Sequence, residues 1–257
     1  MKAPSFAYAK PRSLAEAFDL LERPGAKILA GGQSLIPSLN LRLSSPELLV
    51  DITALKGLSE VEVKDGTVRV GALCTHAALE RSEEVRKHLP LVAQAVSHIA
   101  HPAIRNRGTL GGSLALADPA AELPACALAL EAVLIISSRK GERRVKAADF
   151  FKGLFETDLK PAEILVGVEF PKADKSVFLE LTRRQGDYAI VGLAAVVKKA
   201  ERRLAFFGIG GKPILLKPRS LEEAKASLPT PDADLYHSSA TKLHLAKVLL
   251  DRVWNRL

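Results

Sequence analysis

Two pairs of adjacent glycines constrain this chain more than any other feature. Residues 28–35 read ILAGGQSL and residues 105–113 read RNRGTLGGS, each pair flanked by apolar residues and followed by a small hydroxyl side chain. Glycine gives up more backbone freedom on folding than any other residue, so a pair marks a tight turn or a close approach. A strand that ends at Gly31-Gly32 and restarts as a helix at Gln33-Ser34 would point several backbone N–H groups at an anion. Each pair, taken alone, also suits a plain strand-to-helix corner. Neither loop is a GxGxxG fingerprint, and no Walker lysine follows either one. Gly208-Ile209-Gly210-Gly211 comes closer to that fingerprint, but it stands between Phe206-Phe207 and Lys212-Pro213 and reads as a strand end with its turn.

The periodicity around these loops alternates between helix and strand. Ser13 to Glu22 sets Leu14, Ala17, Phe18 and Leu21 on one face behind a Ser13 cap, which predicts a helix. Lys27 to Ala30 reads as a short strand, Ser34 to Leu43 as a helix with Pro37 in its first turn, and Leu48 to Ile52 as a buried strand. From 58 to 73 the pattern becomes a hairpin turning at Asp65-Gly66. Helices are predicted over 76–81 and 91–101, the second ended by Pro102, and over 123–130. Strands follow at 132–137, 144–147 and 163–170, then at 178–181, 189–198 and 204–209. Thr241 to Leu257 is an amphipathic helix. The change of character near 171–177 marks a boundary.

With 257 residues, 47% of them apolar and 26% charged, the composition is that of a globular protein with one large or two modest cores. The longest apolar run, Leu123 to Ile136, is interrupted by Pro124 and Glu131, so no membrane span is expected. The opening MKAPSFAYAKPRS lacks the apolar core of a signal peptide, and the expected location is cytoplasmic. The net charge of +8 comes from clusters at Arg139 to Lys146, Arg183-Arg184 and Lys198 to Arg203. Without interleaved aromatics or a recognition motif these do not predict nucleic-acid binding. They suit solvated strand ends, or an anionic ligand or acidic protein partner.

Several chemistries find no support. Cys74 and Cys126 are far apart, whereas an iron–sulfur cluster generally takes four ligands. His98 and His101 have metal-capable spacing but no third ligand beside them. There is no GxSxG elbow, and Cys126 lies in an apolar run. The second glycine loop is richer. Thr109 offers a hydroxyl, Gly111, Gly112 and Ser113 offer N–H groups, and Glu122 beyond Asp118-Pro119 could accept from sugar hydroxyls. Two anion loops about 80 residues apart suggest one ligand bridging two lobes, and a dinucleotide has the length and the central dianion for it.

AGGQS at 30–34, RNRGTLGG at 105–112, ADPAAELPA at 117–125 and RRQGDYAIVGLAA at 183–195 together resemble the FAD-binding medium subunit of molybdenum hydroxylases. That family includes the aerobic carbon monoxide dehydrogenase medium chain and the FAD domain of xanthine dehydrogenase. The resemblance runs through nearly the whole chain in the family's order and weakens from residue 213 on. It implies an α+β, PCMH-type FAD-binding fold over residues 1–172, in two α+β subdomains of about 1–53 and 54–172. It implies a C-terminal domain over 173–257 with a three-stranded antiparallel sheet and helices.

The resemblance also implies site residues. Ile28, Leu29, Ala30, Gly31, Gly32, Gln33, Ser34 and Leu35, with Thr109, Gly111, Gly112 and Ser113, would hold the FAD pyrophosphate through backbone N–H groups and the Ser34 and Thr109 hydroxyls. Lys27 would lie near the same charge. Glu122 would meet ribityl or ribose hydroxyls at a position where the family often has Asp. Asp187 and Tyr188 would stand beside the isoalloxazine. Related oxidases attach FAD through histidine or cysteine; Gln33 cannot, so the FAD is expected to be non-covalent. The implied role is electron relay. A large molybdopterin-binding subunit and a small [2Fe-2S] subunit would deliver electrons to the flavin, for a quinone, O2 or NAD+ as acceptor, with no catalytic acid or base from this chain. The rival readings are a stand-alone flavoenzyme of the same fold and a non-enzymatic polyanion-binding module.

Overall fold

The computed structural model describes residues 2–257. The chain opens on β1 (Ala7–Ala9), α1 (Leu14–Leu21), β2 (Ala26–Leu29), α2 (Leu35–Asn40) and β3 (Leu48–Asp51). These strands form a parallel sheet in the order β1-β3-β2. Strand β1, with only three residues and two of them exposed, carries too little hydrophobic pattern to be read from sequence. The Ser13 hydroxyl accepts from the Glu16 amide and starts α1 as its capping pattern predicts. Ala17, Phe18 and Leu20 of α1 are buried against Leu48 and Val50 of β3.

The middle of the chain holds β4 (Val61–Lys64), β5 (Thr67–Gly71), α3 (His76–Arg81), α4 (Glu83–His88) and α5 (Pro90–Val96). It continues with α6 (Pro102–Arg105), α7 (Leu110–Leu116), α8 (Glu122–Ala129), β6 (Val133–Ser138), β7 (Gly141–Lys146) and α9 (Ala147–Phe150). The short pair β8 (Phe151–Gly153) and β9 (Glu156–Thr157) precedes β10 (Ile164–Pro171). The hairpin turn is where the Asp-Gly pair placed it, with φ of +47° at Asp65 and +76° at Gly66. The sheet is antiparallel throughout, in the order β4-β5-β10-β6-β7. Its two faces are both covered. Leu134, Ile136, Val168 and Phe170 face the helices, while Ile135, Ile164 and Val166 face the first sheet's cluster. That alternation joins the two sheets through apolar packing.

Pro102 has a different role from the expected one. The helix predicted over 91–101 ends at Val96, and Pro102 opens α6 at its first position instead of closing the preceding helix. The missing N–H of proline is no loss there, because a first-turn amide has no intrahelical acceptor. Helix α8 is buried on every side. It is wedged between α5 and the last sheet, so it shows no amphipathic stripe.

The last sheet consists of β11 (Lys175–Leu181), β12 (Val191–Lys198), β13 (Glu201–Phe207) and β14 (Ile214–Leu216), followed by α10 (Leu221–Ala226) and α11 (Ser239–Trp254). It is antiparallel and four-stranded, in the order β11-β12-β13-β14. The three expected strands are present, and the short β14 pairs beside β13 as a fourth. One face, with Phe178, Ala194, Val196, Ala205 and Phe207, packs on the middle region's core. The other, with Val191, Leu193, Ala195, Leu204 and Phe206, packs on Ala246, Leu249, Leu250 and Val253 of α11. Gly192 lies opposite Phe207, and a Cβ on Gly192 would enter the Phe207 ring. Gly192→Val should therefore cost about 1–3 kcal/mol of stability through overpacking, read as a lower urea midpoint with an unchanged slope.

Candidate functional site

The two glycine loops end up in one place. Gly31 follows β2, and its Cα lies so close to the Arg107 carbonyl that a Cβ would overlap the Arg107 oxygen. Gly32 has φ +77°, a left-handed conformation that turns the chain into α2. Between the loops opens a cleft of about 390 Å³. Lys10, Ala30, Gly31, Asp51 and Thr53 line it from the first sheet's side; Leu73, Thr75, Asn106, Arg107 and Thr109 line it from the second's. A single backbone bridge between Thr75 and Thr109 ties the α3 entrance to the second loop.

The loops differ in what they leave free. Among the described residues, the amides of Gly31, Gly32, Gln33, Ser34 and Leu35 find no acceptor within the chain. The Ser34 hydroxyl makes no capping bond, and the Gln33 side-chain amide donates to the Gly31 carbonyl at 3.3 Å. Ile28 and Leu29 are half-buried in β2 beneath this turn. Unpaired amides side by side are a ready set of donors for an anion.

The second loop has its amides committed. Leu110 donates to the Cys74 carbonyl, Gly111 to Ala72, Gly112 to the Thr109 hydroxyl and Ser113 to the Thr109 carbonyl. The sequence reading that Gly111, Gly112 and Ser113 offer a free nest is thus corrected: the capping bond and the packing against Ala72 consume those donors. What remains, among the described residues, is the Thr109 amide, which finds no acceptor, and the Thr109 hydroxyl, which accepts from Gly112 and keeps its own proton to donate. The exposed Cα of Gly112 and the half-buried Ser113 lie beside it. Lys27 is exposed on β2, with its amine on the Ser44 hydroxyl at 3.1 Å and not among the groups lining the cleft.

Cleft residues outside the motif-based set are Lys10, Asp51, Thr53, Leu73, Thr75, Asn106 and Arg107. Asn106 and Arg107 lie inside RNRGTLGGS, so a reading of side chains as well as glycines would have found them. Asp51 ends β3. Its carboxylate accepts from the Thr53 amide at 2.9 Å, the Thr53 hydroxyl at 2.6 Å and the Tyr8 phenol at 2.5 Å. Burial pushes its pKa up, but those bonds and Lys10 outweigh burial and hold it below the usual carboxylate value.

The remaining expected residues lie outside the lining of this cleft. Glu122 opens α8 and is 8% exposed. Burial, then the charges of Glu180 and Asp118, push its pKa up to about 8. Asp118 is raised by burial as well. Asp187 and Tyr188 lie in the loop between β11 and β12, which is pinned where Gly186 meets Ala100 and His101. Tyr188 is 74% exposed, and its phenol is raised first by desolvation and then by the charges of Asp118 and Glu122. A Gly208 N–H bond to the Pro119 carbonyl and a Lys242 amine bond to the Gly208 carbonyl anchor that corner to α11.

Glu122 carries a pH signature. Its carboxyl holds a proton when folded and releases it on unfolding, so its stabilising contribution is present below 4.5 and is lost as pH rises through about 8. The Glu122→Gln variant should gain urea stability relative to the parent chain between pH 5 and pH 8, measured without added cofactor.

Residues 4–173 match the family model described as the FAD binding domain in molybdopterin dehydrogenase. The chain is 45% identical over 207 residues to the 6-hydroxypseudooxynicotine dehydrogenase complex subunit alpha of Paenarthrobacter nicotinovorans, covering 79% of this chain and 70% of that one. It is 38% identical over 205 residues to the carbon monoxide dehydrogenase medium chain of Hydrogenophaga pseudoflava, covering 78% and 71%. A solved chain of carbon monoxide dehydrogenase from that organism superposes with a TM-score of 0.93 at 32% identity, covering 100% of this chain and 98% of the other. A chain of quinoline 2-oxidoreductase from Pseudomonas putida 86 superposes at 0.92 with 37% identity, covering 98% and 96%. The chain belongs to the family of FAD-binding domains of molybdopterin dehydrogenases and is an oxidoreductase flavoprotein subunit.

Proposed function

We propose that this chain holds FAD non-covalently within a molybdenum–iron–sulfur–flavin dehydrogenase. It takes electrons from the [2Fe-2S] clusters of a small partner subunit and passes them to an external acceptor. The molybdopterin would sit in a large partner subunit. The observation that carries this reading is the cleft itself. Two loops from different sheets meet backbone to backbone, and the first presents five consecutive unbonded amides, from Gly31 to Leu35.

These residues fit a dinucleotide. The amides of the first loop, with the Ser34 and Thr109 hydroxyls, face the pyrophosphate, and Lys10 and Arg107 offset its charge. Glu122 accepts from ribityl or ribose hydroxyls, and Asp187 and Tyr188 stand beside the isoalloxazine. FAD, when bound, stores two electrons that can arrive and leave singly. The chain's own part is to bind, orient and shield it. Cys74 and Cys126 are both buried in the apolar core, which leaves the four ligands of a cluster to a partner. The names of the relatives support an assembly: one is a dehydrogenase complex subunit, and others are medium subunits or medium chains.

FAD added to the purified full chain should give a yellow complex whose flavin is released intact by acid. Gly31→Ala, which forces the loops apart, and Gly32→Val, which strains a left-handed turn, should each weaken FAD binding at least about tenfold in a fluorescence titration. Undiminished binding in both variants would remove the loop assignment. Isolation from its source with a large and a small subunit is the expected assembly. A chain isolated alone that oxidises a small molecule by itself would favour the stand-alone flavoenzyme.

A further inference from the structure

His76 does not line the cleft, yet it holds Thr109, the residue of the second loop that keeps donors free to bind. The side chain is buried, with 6% of the residue exposed, at the first position of α3. Its backbone amide donates to the Gly108 carbonyl at 2.9 Å, and its Nε2 lies 3.0 Å from the Thr109 carbonyl oxygen. A carbonyl can only accept, so Nε2 carries the proton and Nδ1 is left bare. Nδ1 is buried and has no partner among the described residues. Burial first, and then the neighbouring Arg105, keep the imidazole neutral, with a pKa lowered to about 4 against the raising effect of the Thr109 bond.

The Thr109 carbonyl is therefore doubly bonded, by the His76 ring on one side and by the Ser113 amide that begins α7 on the other. These two bonds fix the Thr109 peptide. The Thr109 side chain is then fixed by the Gly112 amide, which leaves the hydroxyl proton of this cleft-lining residue free to donate. A Cβ on Gly108 would lie 3.0 Å from the imidazole, so the ring also closes the space behind the loop. A buried imidazole with an unsatisfied nitrogen is costly to keep, and a leucine would fill the same space without that cost. The donor is what a leucine lacks.

We propose that His76 is a positioning residue for cofactor binding: its neutral, Nε2-protonated ring clamps the Thr109 carbonyl and thereby aims the Thr109 hydroxyl at the dinucleotide pyrophosphate. The inference rests on the cleft being the FAD site. His76→Gln keeps a donor near the Nε2 position, and His76→Leu keeps bulk without one.

The test is FAD titration into the full-length purified chain, together with the ³¹P spectrum of the bound pyrophosphate at saturating FAD. His76→Leu should weaken FAD about tenfold and shift a pyrophosphate ³¹P resonance, because one anchoring bond of the loop is gone; His76→Gln should restore both. Parent-like affinity and ³¹P shifts in His76→Leu would overturn the proposal, as would a His76→Gln variant as impaired as the leucine. Should His76→Leu not fold, the parent chain's imidazole ¹⁵N spectrum decides. An Nε2-protonated ring whose shifts move on FAD addition supports the clamp, and an Nδ1-protonated or unresponsive ring overturns it. Gly31→Ala and Gly32→Val run in parallel separate the two failures. If both bind FAD normally the cleft reading fails; if either loses FAD while His76→Leu does not, only the His76 proposal fails.

Discussion

The contact on which the site depends is a backbone-to-backbone approach, Gly31 against the Arg107 carbonyl. Side chains cannot produce it, since any Cβ at Gly31 would occupy the space of the carbonyl. It brings the end of a parallel strand from the first sheet against a loop of the second sheet's helices, and a cleft opens between them. Apolar packing under the cleft makes the contact rigid. Ile135, Ile164 and Val166 of the second sheet share a cluster with Phe18, Leu48 and Val50 of the first. The lobes are pressed together by burial, and the glycine lets their backbones meet at the surface.

Polar groups divide the work around that contact. The first loop keeps its amides free, so its contribution to an anion is direct. The second loop has its amides from Leu110 to Ser113 bonded, which leaves a stiff wall with the Thr109 amide and hydroxyl to offer. Asp51 keeps its charge at one end of the cleft because Thr53, Tyr8 and Lys10 surround it, whereas Glu122 holds a proton because burial and two other acids surround it. The same residue type, a carboxylate, is thus set to opposite states by its neighbours. The last sheet adds to this by presenting the Asp187-Tyr188 loop, held through Gly208 and Lys242 to helix α11.

Much of this was legible from residues alone. The Ser13 cap and the Asp65-Gly66 turn with its alternating flanks were readable because each rests on interactions a few residues apart. The glycine loops stood out because glycine pairs are costly and need a cause. Other features were not legible. Strand β1 is too short to show a period, and it forms only because β3 lies beside it. Pro102 fits a helix end and a helix start equally well by local rules; the preceding helix already ends at Val96, and Pro102 takes the first position of α6. Lys27 sits next to the first loop in sequence, but strand pleating sends its amine to Ser44.

The sequence by itself determined the family and where the chain must bend: two glycine loops, an acidic helix start and an aromatic loop, in a fixed order. These are local or pairwise properties of residue types, and they survive without coordinates. Only the tertiary structure decided which donors remain for a ligand. Whether an amide is free depends on what else is within about 3 Å of it, and the acceptors that silence Leu110 and Gly111, Cys74 and Ala72, come from the segment after β5, nearly 40 residues earlier in the chain. The same holds for His76, whose ring meets the Thr109 carbonyl across 33 residues of chain.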